Sequence, residues 1–310
     1  MASGLAAAVE RASTIGATAI QVFGDNPTAW RRRPEPPEDA PAFRERLADR
    51  GIGPVAIHAA YLVNLAGPEP LAYERSIEIL AHDLRTAPAF DAAFLNVHIG
   101  SHRDTTVADG VARLADAVAR VLAETDGDRG SVRLVLENSA GGGSTLGVDL
   151  DELTWIADAL AARGIHDART GFCLDTAHAW GAGIDLSEPD TVDAFVRAFD
   201  ARIGLERLVM VHLNDSKAER GSLMDRHEHL GAGRIGERGL ATILTHPGLA
   251  RTAYYLETPG MDEGYDAVNV ARAYDLAAGR PLATLPPEAM ELRGSRARSG
   301  PAEPAPTGVR

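Results

Sequence analysis

The 310-residue chain contains one cysteine, Cys173, so no internal disulfide can form and a reducing cytoplasm is the expected compartment. Within Gly171-Phe-Cys-Leu174 that thiol reads as a small buried hydrophobe, not as a nucleophile. No apolar run reaches the roughly 18 residues of a membrane span, and the N-terminus lacks the layout of a signal peptide. A positive balance is also missing. The net charge of -13 argues against a protein that coats nucleic acid through a general excess of basic residues. It does not exclude a local site, because three bound divalent ions would bring the balance to -7. The hydrophobic fraction of 45% and charged fraction of 24% are those of an ordinary globular protein, and the length suits one large core.

Helical and strand patterns alternate along the chain. Helices are predicted over 2–15, 38–50, 69–87, 107–125, 150–163, 188–202, 236–245 and 263–278. The intervening strands are short and apolar: 19–23, 54–57, 93–97, 133–136, 171–174, 208–211 and 253–256. Such strands read as a buried parallel sheet, and the count points to an α/β fold, a (β/α)8 TIM barrel. One strand is lacking, because the chain starts directly with a helix. The barrel domain is expected over residues 1–280, with 281–310 a disordered tail rich in Pro, Ala, Gly and Arg.

Six successive strands end in a residue that can bind a metal: His58, His98, Glu137, Asp175, His212 and Glu257. The carboxyl ends of the strands are where such barrels carry their active sites. His178 follows Asp175 by about one turn, and the polar loop after His212 carries Asp225-x-His227, spaced so that both side chains of an extended segment point the same way. Five imidazoles and four carboxylates, with no thiolate, form the donor set of a multinuclear site for zinc or a similar ion. Nine donors exceed the needs of one tetrahedral ion and suit three if a carboxylate is shared. Closely spaced divalent ions are typical of in-line phosphoryl chemistry. A single polar strand end is often just hydrogen-bonded; six in register would need improbable compensation.

Several segments together resemble the endonuclease IV family of zinc-dependent apurinic/apyrimidinic (AP) endonucleases. They are Leu134-Val-Leu-Glu-Asn-Ser-Ala140 with the Gly-rich 141–147, Gly171-Phe-Cys-Leu-Asp-Thr-Ala-His178, Val211-His-Leu-Asn-Asp-Ser-Lys217 and Asp225-Arg-His-Glu-His-Leu-Gly231. His58-Ala-Ala-Tyr-Leu-Val-Asn-Leu65, His98-Ile-Gly-Ser-His102 and Leu256-Glu-Thr-Pro259 add to them, so the likeness spans about residues 4 to 280. The resemblance implies three zinc ions. His58, His98 and Glu137 would hold one. Glu137, also the expected catalytic residue, would bridge to a second, completed by Asp175, His212 and Glu257. His178, Asp225 and His227 would hold the third. Water activated between the first two would attack phosphorus 5′ to an abasic deoxyribose in double-stranded DNA, leaving a 3′-hydroxyl and a 5′-deoxyribose phosphate. A 3′-phosphodiesterase activity is expected beside it, and a monomer.

The resemblance also implies loops that enter the duplex, to which Asn26, Trp30, Tyr61 and Leu62 correspond. Between Asn26 and Trp30, where the family tends to offer an arginine and a glutamine, stand Thr28 and Ala29; nearby Arg31, Arg32 and Arg33 are candidates for phosphate contacts. Trp180 is expected in the core. The family begins with a short strand that is absent here, and an upstream start codon is the expectation. Two other readings remain open. One is a metal-dependent sugar isomerase or epimerase, for which Glu137, Asp175, His212 and Glu257 would suffice; the other is an inactive barrel that only binds damaged DNA.

Overall fold

The computed structural model describes residues 4–128, 130–166, 169–261 and 263–291. Strand and helix alternate through α1 (Gly4–Thr14), β1 (Ile20–Phe23), α2 (Ala40–Arg50), β2 (Val55–His58), α3 (Pro70–Thr86), β3 (Ala92–His98), α4 (Val107–Glu124) and β4 (Arg133–Glu137). They continue with α5 (Leu150–Ala161), β5 (Thr170–Asp175), α6 (Thr176–Gly181), α7 (Pro189–Arg202) and β6 (Leu208–His212). The loop beyond carries β7 (Asp215–Ser216) and β8 (His227–Glu228), an antiparallel pair that the sequence reading took for plain loop. Last come α8 (Gly236–Thr245), β9 (Ala253–Tyr255), α9 (Tyr265–Ala277) and α10 (Pro287–Glu291).

Seven strands pair in parallel in the order β1-β2-β3-β4-β5-β6-β9, a nearly closed TIM barrel. Among the described residues no ladder joins β1 to β9, so these two are the edges of an open seam. Period-two alternation divides each strand between two environments. One set of side chains, such as Ile57, Leu95, Leu134, Leu136 and Val211, packs against the helices in the main core. The other faces into the barrel, where Ala56, Val135, Cys173, Met210 and Tyr255 form a small second core. Two residues further along the same faces lie His58, Glu137, Asp175, His212 and Glu257, so the inward parity of an apolar floor delivers the polar groups to one mouth.

Helix starts are set locally. Thr106 and Asp109 form a reciprocal capping box at α4, and the Asp149 side chain accepts from the Glu152 amide at 2.9 Å to start α5. The long loop after β6 is pinned by the buried Asp215 carboxylate, which accepts from the amides of Gly233 at 2.9 Å and Ile235 at 3.0 Å. A Cβ at Gly233 would lie 2.5 Å from that carboxylate, so only glycine fits the approach.

The expected tail is partly ordered. Leu282 packs on the main core, and α10 buries Ala289, whose carbonyl accepts from His229 Nε2 at 3.1 Å. The first part of the expected tail, 281–291, thus packs on the barrel; the five residues of α10 were too few to show a periodicity. Residues 292–310 lie outside the described residues.

Candidate metal centre

The sequence-predicted donors converge at the carboxyl ends of the strands. Glu137, Asp175 and His212 are fully buried there, and His58 and His178 nearly so. Three groups of donor atoms lie close enough to surround an ion: His58, His98 and Glu137; Glu137, Asp175, His212 and Glu257; and Asp175, His178 and His227. The first two are the groups implied by the resemblance. In the third, Asp175 stands where Asp225 was expected. The half-exposed Asp225 is nevertheless adjacent, with Oδ2 3.3 Å from His178 Nε2 and Oδ1 3.0 Å from His227 Nε2.

The spacing suits cations. Donors at 2.0–2.1 Å around a tetrahedral ion lie about 3.3–3.4 Å from one another. Glu137 Oε2 is 3.6 Å from His58 Nε2 and 3.5 Å from His98 Nε2, and Glu137 Oε1 is 3.2 Å from His212 Nδ1. His212 Nδ1 lies 3.4 Å from Glu257 Oε2, and His227 Nε2 lies 3.7 Å from Asp175 Oδ2.

The rear nitrogens are also spoken for, as in metal-binding histidines, which donate the remaining N–H to a fixed acceptor. His58 Nδ1 meets the Ala59 carbonyl at 2.7 Å, His178 Nδ1 the Asn138 carbonyl at 3.0 Å, and His227 Nδ1 the Glu257 carbonyl at 2.7 Å. His58 and His227 leave Nε2 facing the centre, whereas His178 Nδ1 also lies 3.3 Å from Glu137 Oε1 while its Nε2 faces Asp225. His212 is turned the other way, with Nδ1 inward.

Three asparagines to which the sequence reading gave no role hold the carboxylate residues, two at the carboxylate itself and Asn138 at the Asp175 backbone. Asn96 donates to Glu137 Oε2 at 2.6 Å, and Asn214 donates to Asp175 Oδ2 at 2.7 Å while accepting from the Glu257 amide at 2.9 Å. Asn138 accepts from the Asp175 amide at 2.6 Å. A polar residue at an inward strand position, as Asn96 is, was the available signal.

Electrostatics follow from this crowding. Burial pushes the Glu137 carboxyl up, but the imidazoles of His212, His98 and His178 outweigh it and hold it well below the ordinary carboxylate range. Burial likewise opposes the charge on His227, yet Asp225 and Asp175 raise it to about 9. Burial raises the Cys173 thiol to about 11, so it is no thiolate nucleophile at neutral pH, as expected.

A family profile described as a xylose isomerase-like TIM barrel matches residues 9–278. A probable endonuclease 4 of Methanoculleus marisnigri is 40% identical over 270 residues, 87% of this chain and 94% of that protein. The chain belongs to the endonuclease IV family. The crystal structure of endonuclease IV from Thermus thermophilus superposes with a TM-score of 0.76 at 37% identity, covering 89% of this chain and 95% of that one. A D-tagatose 3-epimerase-like protein shares the fold alone, with a TM-score of 0.61 at 15% identity over 84% of this chain and 87% of that one.

The residues that the endonuclease IV likeness assigns to DNA lie beside the mouth. Tyr61, 38% exposed, packs its ring edgewise on Phe23 at 5.3 Å and lies 5.5 Å from the His58 ring, with the half-buried Leu62 next to it. The Tyr61 amide donates to the Pro27 carbonyl at 3.0 Å, joining this loop to the one after β1. There Asn26 accepts from the amide and hydroxyl of Thr28, which shapes the turn, and Trp30 packs on the core under the Arg75 guanidinium. Of the three arginines, Arg32 is buried against Asp83 at 3.3 Å and donates to the Asn26 carbonyl, and Arg33 bonds Gly24 and Asp25. Both are occupied in folding the loop, which leaves Arg31 as the exposed candidate for a phosphate. Trp180 is buried as expected, its indole N–H donating to the Ala218 carbonyl at 3.0 Å.

Among the described residues no helix is long and apolar enough to cross a membrane.

Proposed function

We propose that the chain is a DNA-repair endonuclease that hydrolyses the phosphodiester 5′ to abasic sites in duplex DNA. The products are a 3′-hydroxyl and a 5′-deoxyribose phosphate, and the same site acts as a 3′-phosphodiesterase. The observation that carries the reading is the trio of donor groups sharing Glu137 and Asp175 at one barrel mouth. The names of the relatives point the same way.

The donor set of imidazole nitrogen and carboxylate oxygen, at these separations, fits three zinc ions. His58, His98 and Glu137 would hold one; Glu137, Asp175, His212 and Glu257 a second; His178, Asp225 and His227, with Asp175 adjacent, a third. Bound there, zinc would supply water acidified to near neutrality and positive charge for the phosphoryl and leaving oxygens. Glu137, fixed by Asn96, serves as the shared carboxylate. The carbonyls behind His58, His178 and His227 take the Nδ1 proton, so that in the neutral rings zinc requires each Nε2 is the free nitrogen. Tyr61 and Leu62 stand at the rim to enter the opened stack, and Arg31 is placed to meet backbone phosphate.

The test is cleavage of a duplex carrying one tetrahydrofuran abasic analogue, with metal-loaded protein and a Glu137→Ala control. The analogue cannot undergo β-elimination, so a cut reports hydrolysis. Incision 5′ to the analogue that disappears in the control supports the reading; intact duplex with three zincs bound rejects it. A chain that binds one or two ions and leaves DNA intact points to the sugar isomerase or epimerase reading, for which the four-donor group would suffice.

A further inference from the structure

The other histidines with a located rear partner give that nitrogen to a backbone carbonyl; His212 gives it to a side chain. Its Nε2 lies 3.0 Å from Oε1 of Gln21, whose Nε2 donates to Glu257 Oε1 at 2.9 Å. The two contacts fix each other. A carboxylate only accepts, so the amide nitrogen of Gln21 must face Glu257 and its oxygen must face His212. An amide oxygen only accepts, so His212 must carry its proton on Nε2. In the neutral ring Nδ1 is then the unprotonated nitrogen, and it is the one turned toward Glu137, Glu257 and Asp175, at 3.2, 3.4 and 3.9 Å.

The place of Gln21 in the fold gives the contact a second meaning. Gln21 lies on β1 and Glu257 just beyond β9, the two edges that no ladder joins. Its neighbours two residues either way share its face: Ala19 packs on the inner core, and the Phe23 ring meets His58 at 5.4 Å. One side chain therefore spans the seam at the level of the donors.

We propose that Gln21 is a positioning residue for the group formed by Glu137, Asp175, His212 and Glu257. It sets the tautomer of His212 and anchors Glu257 across the open seam. The inference rests on the metal-dependent reading above, and it commits Gln21 to one of the three ions, not to all.

The test uses the zinc-loaded full chain and its Gln21→Ala and Gln21→Leu variants, titrated with a chromophoric zinc chelator. One ion per chain should leave at a chelator concentration roughly 10- to 100-fold lower than in the parent, the effect typical of losing a partner behind a ligand. The other two should be retained, and the metal-free protein should stay folded, its melting lowered by no more than the several degrees expected for the stranded His212 N–H. Nitrogen-15 NMR of the zinc-loaded parent should show His212 protonated at Nε2. Equal retention of every ion, weakening of all of them alike, or a proton on Nδ1 would each overturn the proposal. Incision is assayed in parallel: a parent that keeps its zinc and does not cut rejects the proposed function, while the role of Gln21 is still decided by the chelator curve.

Discussion

Asn96 and Glu137, on adjacent parallel strands, are both fully buried, and the Asn96 amide donates to Glu137 Oε2 at 2.6 Å. The Asn96 Oδ1 has no hydrogen-bond partner. Leaving such an acceptor unmet costs on the order of 1–3 kcal/mol. An inward asparagine half-satisfied in this way is poorly explained by stability and well explained by the carboxylate it aims.

Replacing Asn96 by leucine, which keeps the volume and removes the donor, should lower zinc affinity or incision by roughly 10- to 100-fold. The protein should stay folded. Chelator titration and incision kinetics measured on one preparation check it, and parental values in both would discount the role assigned to the amide.

Tyr61 presents an exposed edge while its ring is braced by Phe23. Stacking of a base on an aromatic ring is worth about 1–3 kcal/mol. Tyr61→Ala should therefore reduce kcat/KM on abasic duplex by roughly 5- to 150-fold with little change in melting temperature. Tyr61→Phe should retain most of the activity. A large loss in the phenylalanine variant would move the role from the ring to the hydroxyl.

The contact of α10 with His229 can be tested by ending the chain after Pro286. His229 Nδ1 is already held by Asn269 at 2.9 Å, and Nε2 would lose the Ala289 carbonyl. The cost should be about 1–3 kcal/mol for the stranded donor. Melting of the metal-free protein should fall by several degrees. An unchanged transition would show that α10 adds nothing to the barrel.

The strand ends were readable because each joins two signals, an apolar run too short for a helix and a polar residue where the run stops. The common inward face of His58, Glu137, Asp175, His212 and Glu257 came only with the structure, two residues beyond the inner core. Gln21 and Asn96 escaped because they sit within their strands, where one polar residue reads as tolerated and not as aimed. Parity could have found them: Gln21 is two residues beyond inward Ala19, and Asn96 two beyond inward Phe94. Arg32 could not have been placed, since its partner Asp83 lies on α3 and nothing in the run of three arginines distinguishes the middle one. The β7–β8 pair was equally hidden, because two-residue strands carry no period.

The protonation of the centre gives a prediction in which metal-free and zinc-loaded protein respond oppositely to pH. Against burial, nearby carboxylates raise His178 well above 6.5 and His227 to about 9, and Cys173 with Glu257 and Glu137 raises His212 well above 6.5. A raised imidazole contributes stability below its unfolded pKa of 6.5, and that contribution fades as pH climbs through the folded value. Against burial, nearby imidazoles hold Glu137, Glu257 and Asp225 below their ordinary values of 4.5 and 3.8. Their contribution is present above those values and fades as pH falls. The metal-free chain should thus gain most from this cluster between 4.5 and 6.5 and lose the imidazolium part toward 9. Zinc requires the same nitrogens unprotonated, so its binding releases protons and strengthens as pH rises. The increase in melting temperature on adding zinc should therefore grow between pH 6.5 and 9. Paired melting curves with zinc and with chelator measure it directly. An increment that is flat or shrinks across that range would mean that His178, His212 and His227 do not give up protons to the metal.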